Sequence, residues 1–536
     1  MHSILIKGGT VVDGIGTPAA PYDLAIDGTK IAGYYKASKA EGSLVLDARG
    51  MVVCPGFIDI HSHSEMHLLN NPLAESKVRQ GVTTELVGNC GTSPGPVIGA
   101  AREALSDYSD VLDIELDWAS MDEYLLRLSN IRPSVNVAVL TGASMLRASV
   151  IGNEDRKPND EELVRMQELL SESMLQGAWG LSSGLIYAPG CYASTEELVS
   201  LATTAASFGG IYASHIRGEG RTLVQAVEEA IRIGREAHIR VEISHHKACG
   251  KPMWGTVSKT IALIEEARKA GVDVAFDVYP YTASNTSLDT VMPPWAREGG
   301  REMILRRLRD PVMREKIADQ VETGADNVED TVKDTGWENV VLAGFRKEEN
   351  KKFEGRSVQE ISVTLGKRPV DTALDIMIDE ELQVGAIFHE MTEDDVITVL
   401  SHPLASIGSD GEAQAPYGVM GESVVHPRAY GTFPRVLKRY VLEKRVISLE
   451  EAIRKMTSWP ADRLRMRDRG VLAKGMAADV VVFDPATIRD TATFENSHSY
   501  PVGIKYVIVN GAVTISEGEH TMERAGQVLR HSPGVA

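Results

Sequence analysis

The sequence is poor in cysteine, in long apolar runs and in basic charge. Its four cysteines, Cys54, Cys90, Cys191 and Cys249, are scattered through 536 residues, too sparsely for a disulfide scaffold. Each is by default a small buried hydrophobe. There is no apolar run of about 18 residues, so no transmembrane helix is expected. The start, Met1-His2-Ser3-Ile4-Leu5-Ile6-Lys7-Gly8-Gly9, has no basic region ahead of its brief apolar stretch, so no secretory signal is expected either. The expectation is a cytoplasmic protein with no membrane partner. Lys and Arg number 56 against 75 Asp and Glu, a net charge of -19. That balance argues against a nucleic-acid partner, whose phosphates are held by clustered cations.

What is present is the balance of a globular protein, 43% hydrophobic and 24% charged. The length exceeds one ordinary domain, although barrels of ~250 residues or more count as one. Both ends read as short strands. Leu24-Ala25-Ile26 and Lys30-Ile31-Ala32 flank Asp27-Gly28, and Tyr506-Val507-Ile508-Val509 runs into Asn510-Gly511; both dipeptides are hairpin turns. One small β-sandwich built from 1–54 and 461–536 is the economical arrangement.

The middle, 55–460, alternates strands with helices. Strands are expected at Phe57–His63, Thr83–Val87, Asn136–Leu140, Trp179–Leu181, Ile211–His215, Arg240–His245, Val272–Val278 and Ala405–Gly408. Between them, Asn159 to Gln176 carries Leu163, Met166, Leu170 and Met174 at helical spacing, and Ser194 with Glu197 opens another helix. Eight strands alternating with helices predict a (β/α)8 TIM-type barrel. Val340-Val341-Leu342 and Ala386-Ile387-Phe388 also look like strands, so the count is open. The charged, proline-broken stretch 286–345 is expected to be an inserted subdomain over the active face.

The run Pro55-Gly56-Phe57-Ile58-Asp59-Ile60-His61-Ser62-His63 is the centre of this plan. Phe57 and Ile58 point to opposite faces and both are apolar, as in a strand buried on both sides. On an extended chain His61 and His63 share a face, which suits two metal ligands. Two polar residues ending a strand at a loop would look the same. His215 and His245 also end predicted strands, Cys90 follows the second and Asp410 the eighth. Each alone has a dull reading as a core or turn residue. Six together, at the barrel end where active sites lie, point to a metal. Imidazole, thiolate and carboxylate favour zinc over magnesium or calcium.

Together with Gly88-Asn89-Cys90-Gly91, Ser214-His215-Ile216-Arg217, Ile243-Ser244-His245-His246-Lys247 and Gly408-Ser409-Asp410-Gly411, this run resembles the amidohydrolase superfamily, specifically its N-acyl-D-amino-acid deacylase (D-aminoacylase) branch. The resemblance covers nearly the whole chain. Cys90 is its more specific mark: many relatives bridge two metals through a modified Lys on strand four, and Trp179–Tyr187 contains no Lys.

The resemblance implies zinc-dependent hydrolysis of N-acyl-D-amino acids, with a tight zinc on Cys90, His215 and His245 and a weaker second site at His61, His63 and Asp410. Asp410 would be the general base. Lys247, Tyr281, Ser287 and Arg428 would hold the substrate's carboxylate and carbonyl; without the resemblance they read equally well as surface cations and turn residues. The branch usually carries Gly-His after strand three, and Gly142-Ala143 stands here, which bears on substrate preference. Two alternatives are weighed beside this one. The first is a hydrolase of cyclic amides (hydantoin-like) or dipeptides on the same scaffold. The second is an inactive scaffold protein, which should have lost a ligand.

Overall fold

The computed structural model describes residues 1–36, 40–324 and 331–532, with the backbone alone at 107 and 108. Parts of the expected insertion (325–330) and of the expected C-terminal domain (533–536) lie outside the described residues.

Eight parallel strands ring the middle of the chain: Phe57–Asp59, Val82–Val87, a third in two pieces (Asn136–Val139 and Thr141–Gly142), Gly180–Gly184, Ile211–His215, Arg240–Ile243, Val274–Val278 and Ala405–Ile407. Almost every residue in them is buried, as strands covered on both faces require. Phe57 stacks on Phe433 outside the ring while Ile58 joins Ile60, Leu86, Ala138 and Ile211 in a cluster of its own. The first three strands form one ladder and the third to eighth another. At the remaining seam, between strands eight and one, Ser62 and Gly411 form an isolated parallel bridge. Asp410 N donates to His61 O at 2.7 Å and His63 N to Gly411 O at 3.1 Å.

The helices between strands have the caps their sequences suggest. Asp160–Leu175 starts at Asn159, whose side chain accepts from Glu162 N while Glu162 returns the bond, a full capping box. Thr195–Ser207 starts at Ser194, which accepts from Glu197 N.

Strands from both chain ends join a single nine-stranded sheet. Val480–Phe483 from the C-terminal part pairs with Val52–Pro55 from the N-terminal part. Ile4, Ile6, Leu24 and Ile26 share a core with Val480, Val482 and Ile508. The two hairpin turns meet: Gly511, at φ +82, packs so closely on the Gly28 carbonyl that no Cβ would fit.

The two ambiguous strands lie outside the barrel. Val340–Ala343 and Gly385–Phe388 pair antiparallel, together with Ser284–Ser287, in a sheet of three. Its core runs from Leu288 to Phe388, past the 345 expected, because helices Val358–Leu365 and Pro369–Asp379 bury Val358, Ile361, Val370 and Leu374 in it. The protein is thus an α/β chain: a (β/α)8 barrel with a composite β-domain and a late insertion.

Candidate metal centre

The C-terminal ends of the barrel strands bring most of the singled-out residues together. His61 and His63 lie just past the first strand, with ring centroids 5.4 Å apart. Cys90 follows the second strand, His215 ends the fifth, His245 follows the sixth and Asp410 the eighth. Cys90 (φ 52), His245 (φ 36) and Asp410 (φ 52) are all left-handed. Such strain in non-glycine residues persists where surrounding structure imposes it and collects at functional sites.

Ligand-type atoms of His61, Cys90, His245 and Asp410 all lie within 4.8 Å of one another, and all four residues are buried. Cys90 Sγ is 3.3 Å from His61 Nε2 and 3.6 Å from His245 Nε2. Asp410 Oδ1 is 3.2 Å from His61 Nε2 and 3.1 Å from His63 Nε2. A second group of His215, Glu219 and His245 shares His245 with the first. Both ring nitrogens of His215 are buried without a hydrogen-bond partner, and its ring lies 4.4 Å from that of His245. A buried, unpaired imidazole is costly unless it meets a ligand. The two groups meet at His245: Cys90 lies with His61 and Asp410 in the first and His215 with Glu219 in the second, and His215 acts electrostatically on Cys90 as well.

The electrostatics suit a cation. Burial opposes ionisation of Cys90, but the charge of His61 and the imidazoles of His215, His245 and His61 gathered around the sulfur outweigh it and hold the thiol well below its ordinary value. Asp410 is likewise held well below the carboxylate range, against burial, by Arg428, His245 and His61. The cost runs the other way at His63: despite burial, Asp410 and Cys90 push it up to about 10. The two acidic groups are anionic donors, and the proton on His63 is one that a bound cation would displace.

The four residues expected to hold substrate are placed less uniformly. Arg428 is buried; its Nη1 donates to Asp410 Oδ2 at 2.6 Å and its Nη2 to Asn285 O at 3.2 Å. Lys247 is buried, with Nζ 2.5 Å from Glu219 Oε1 and 2.7 Å from His245 Nδ1. Lys247 and Arg428 both lie over the Tyr279 ring, at 5.6 and 5.2 Å. Tyr281 donates to Pro427 O at 3.3 Å, one residue from Arg428. Ser287 is half-buried at the end of Ser284–Ser287, in the inserted sheet. Ala143, where the resemblance leads one to expect His, starts the helix Ala143–Val150 and is buried.

Three further residues border the cluster. Asp277 Oδ2 lies 3.2 Å from His61 Nδ1 and its Oδ1 accepts His245 N at 2.8 Å. Glu219 Oε1 lies 3.0 Å from His245 Nδ1. A carboxylate on Nδ1 fixes the tautomer that leaves Nε2 for a metal; His61 has such a partner in Asp277, while His245 Nδ1 lies between Glu219 and the Lys247 ammonium. Tyr187 packs edge-on to His215 at 5.0 Å, with its hydroxyl accepting from Thr286 Oγ1 at 3.1 Å. Asp277 has a visible sequence signal, a charge inside the apolar run Val274–Val278; the other two have none.

The amidohydrolase family model matches residues 44–515. The chain is 37% identical to a D-aminoacylase of Alcaligenes xylosoxydans xylosoxydans over 528 residues, covering 98% of this chain and 97% of that one. It is 35% identical to the N-acyl-D-glutamate deacylase of the same organism over 535 residues, 99% and 97%. Among solved structures, N-acyl-D-glutamate deacylase from Bordetella bronchiseptica, complexed with zinc and a phosphonate mimic of the tetrahedral intermediate, superposes with a TM-score of 0.84 at 33% identity, covering 99% of each chain.

Proposed function

The chain belongs to the amidohydrolase family, and on that premise we propose that it hydrolyses the amide bond of N-acyl-D-amino acids with zinc as its metal. The observation that carries this reading is the buried cluster of His61, Cys90, His245 and Asp410 at the barrel's C-terminal end, with the guanidinium of Arg428 against it. The full-length likeness to D-aminoacylase and N-acyl-D-glutamate deacylase supports the substrate class. The donor set fits zinc, since thiolate with imidazole is the borderline-soft combination zinc prefers. Cys90, His215 and His245 would hold one ion tightly, and His61, His63 and Asp410 a second more weakly. A zinc held there would supply a water whose pKa is lowered from ~16 to ~7 and a Lewis acid for the scissile carbonyl.

The rest falls to the protein. Asp410 accepts the proton of the attacking water and passes it to the amine nitrogen, a poor leaving group until protonated. Arg428 occupies Oδ2 and keeps the carboxylate ionised, which leaves Oδ1, on the histidine side, for the proton. Asp277 holds His61 with Nε2 turned inward, and Glu219 together with Lys247 fixes the His245 ring. Arg428, Lys247, Tyr281 and Ser287 bind the substrate's carboxylate and carbonyl, with Arg428 shared between that carboxylate and Asp410. No helix of the described residues is long and apolar enough to cross a membrane, and four cysteines present as thiols agree with a reducing compartment such as the cytoplasm.

A panel of N-acetyl-D-amino acids, their L counterparts and hydantoins tests the reading. Turnover confined to the D-series is expected. Turnover of hydantoins without the linear amides would replace it with a cyclic amidase.

A further inference from the structure

Lys77 lies on the four-residue helix Glu75–Val78 and is fully buried beneath the metal cluster. Its ammonium touches three parts of the barrel at once. Nζ donates to Asp59 Oδ2 of strand one at 2.9 Å, to Ser409 Oγ at 2.8 Å and to Gly411 O at 2.8 Å, both after strand eight. Glu85 Oε2 of strand two lies 3.3 Å away. Three donors near 2.8 Å use the full capacity of an ammonium. Asp59 repeats the link: its Oδ1 accepts Ser409 N at 2.8 Å and lies 3.4 Å from His61 N, and its Oδ2 accepts Ser409 Oγ at 2.6 Å.

These contacts sit where the barrel's own ladder is thinnest. Strands eight and one belong to separate ladders and meet through the isolated bridge of Ser62 with Gly411. Ser62 stands between His61 and His63, and Asp410 stands between Ser409 and Gly411. Ser62, Ser409 and Gly411, three of the residues that flank the second set of metal donors, are thus in the bridge or bonded to the Lys77–Asp59 pair. Asp410 also holds a left-handed backbone, φ 52, which needs fixed neighbours on both sides. A buried ion pair is a poor way to gain stability, since apolar residues of like volume often do as well. Its worth here lies in where it puts other groups.

We propose that Lys77 is a positioning residue: with Asp59 it clamps the seam between strands eight and one so that His61, His63 and Asp410 converge on one cation. This rests on the assignment of those three residues as the weaker metal site, but not on the identity of the substrate.

The test uses the full chain with Lys77→Met and, as a milder change that leaves all charges in place, Ser409→Ala. Zinc is titrated into metal-free protein, cobalt replaces zinc to report the Cys90 thiolate through its charge-transfer absorption, and kcat and KM are measured separately. Lys77→Met should weaken the second zinc by about 10–100-fold, as outer residues of metal sites do. It should leave the cobalt–thiolate band in place and, because Asp410 is displaced with the seam, lower kcat, with KM changed by less than about threefold. Ser409→Ala should show the same pattern in smaller measure, and decides the matter if Lys77→Met does not fold. Unchanged second-metal affinity in a folded variant would overturn the clamp. So would parallel weakening of both metals in step with lost thermal stability, which marks general loosening. A parent that binds no second zinc removes the assignment and the inference with it, whereas a parent that binds zinc but ignores N-acyl-D-amino acids removes only the substrate reading.

Discussion

Arg428 donates Nη1 to Asp410 Oδ2 at 2.6 Å, with both side chains buried. The guanidinium therefore already has a carboxylate on it, and a substrate carboxylate would have to share or displace that contact. Two roles follow for one residue: holding the general base ionised, and reading the substrate. They are separable by experiment.

Arg428→Lys keeps the charge but loses the fork that binds a planar carboxylate through two parallel bonds. Charge-assisted bonds are worth about 1.5–3 kcal/mol, so kcat/KM for N-acyl amino acids should fall by roughly 10–150-fold. For amide-capped analogues, which lack the carboxylate and should be poor substrates, the fall should be much smaller. An equal fall in both series would mean that Arg428 acts through Asp410 and does not read the carboxylate.

Asp410→Asn preserves shape but cannot accept a proton. A general base contributes about 10²–10⁴-fold, and kcat should drop within that range with folding intact. Zinc content has to be measured alongside, because Oδ1 lies within 3.2 Å of both His61 and His63 nitrogens. A variant that holds zinc normally and turns over within threefold of the parent would move proton transfer to another group.

Cys90→Ser should lose most of its tightly held zinc and most activity. A thiol coordinated to zinc is a thiolate, and Cys90 is already held well below its ordinary value, whereas a serine hydroxyl stays protonated. Metal analysis after dialysis checks this. If Cys90 is merely a packed core residue, the serine variant keeps both metal and rate and loses only some stability.

The eight barrel strands are legible in the sequence because a strand buried on both faces reads as an apolar run closed by a turn, as in Ile211–His215 or Val274–Val278. The extent of the insertion is not, because Val340–Ala343 and Gly385–Phe388 have the same apolar texture. Only their antiparallel pairing sets them apart. In the site, His61, Cys90, His215, His245 and Asp410 stand out as metal-binding types at strand ends. Glu219 does not: it lies in a loop four residues past His215, and only the fold turns its carboxylate onto His245. Lys77 is hidden for a similar reason, since a helix of four residues has no periodicity to announce which face is buried. Asp277 could have been noticed, because a carboxylate inside an apolar strand must have partners.

Glu390, close to Glu219 at the edge of the site, offers a pH test. It is buried at 6% exposure, with Ser284 Oγ donating to its Oε1 at 2.6 Å. Burial, reinforced by the nearby charge of Glu219, outweighs that hydrogen bond and pushes its carboxyl up to about 7 from 4.5. Between those values the folded chain binds more protons at this site than the unfolded chain. Its contribution to stability is therefore complete below about pH 4.5 and is lost as the pH rises through about 7. Glu390→Gln keeps a neutral group of the same shape at every pH, so the variant should match the parent near pH 5 and exceed it near pH 8. A shift of this size is worth up to about 3 kcal/mol. Thermal unfolding of both proteins at the two pH values measures the difference. If the variant's advantage is the same at pH 5 as at pH 8, Glu390 ionises like an exposed carboxylate, and its burial does not set the fall in stability as the pH rises through about 7.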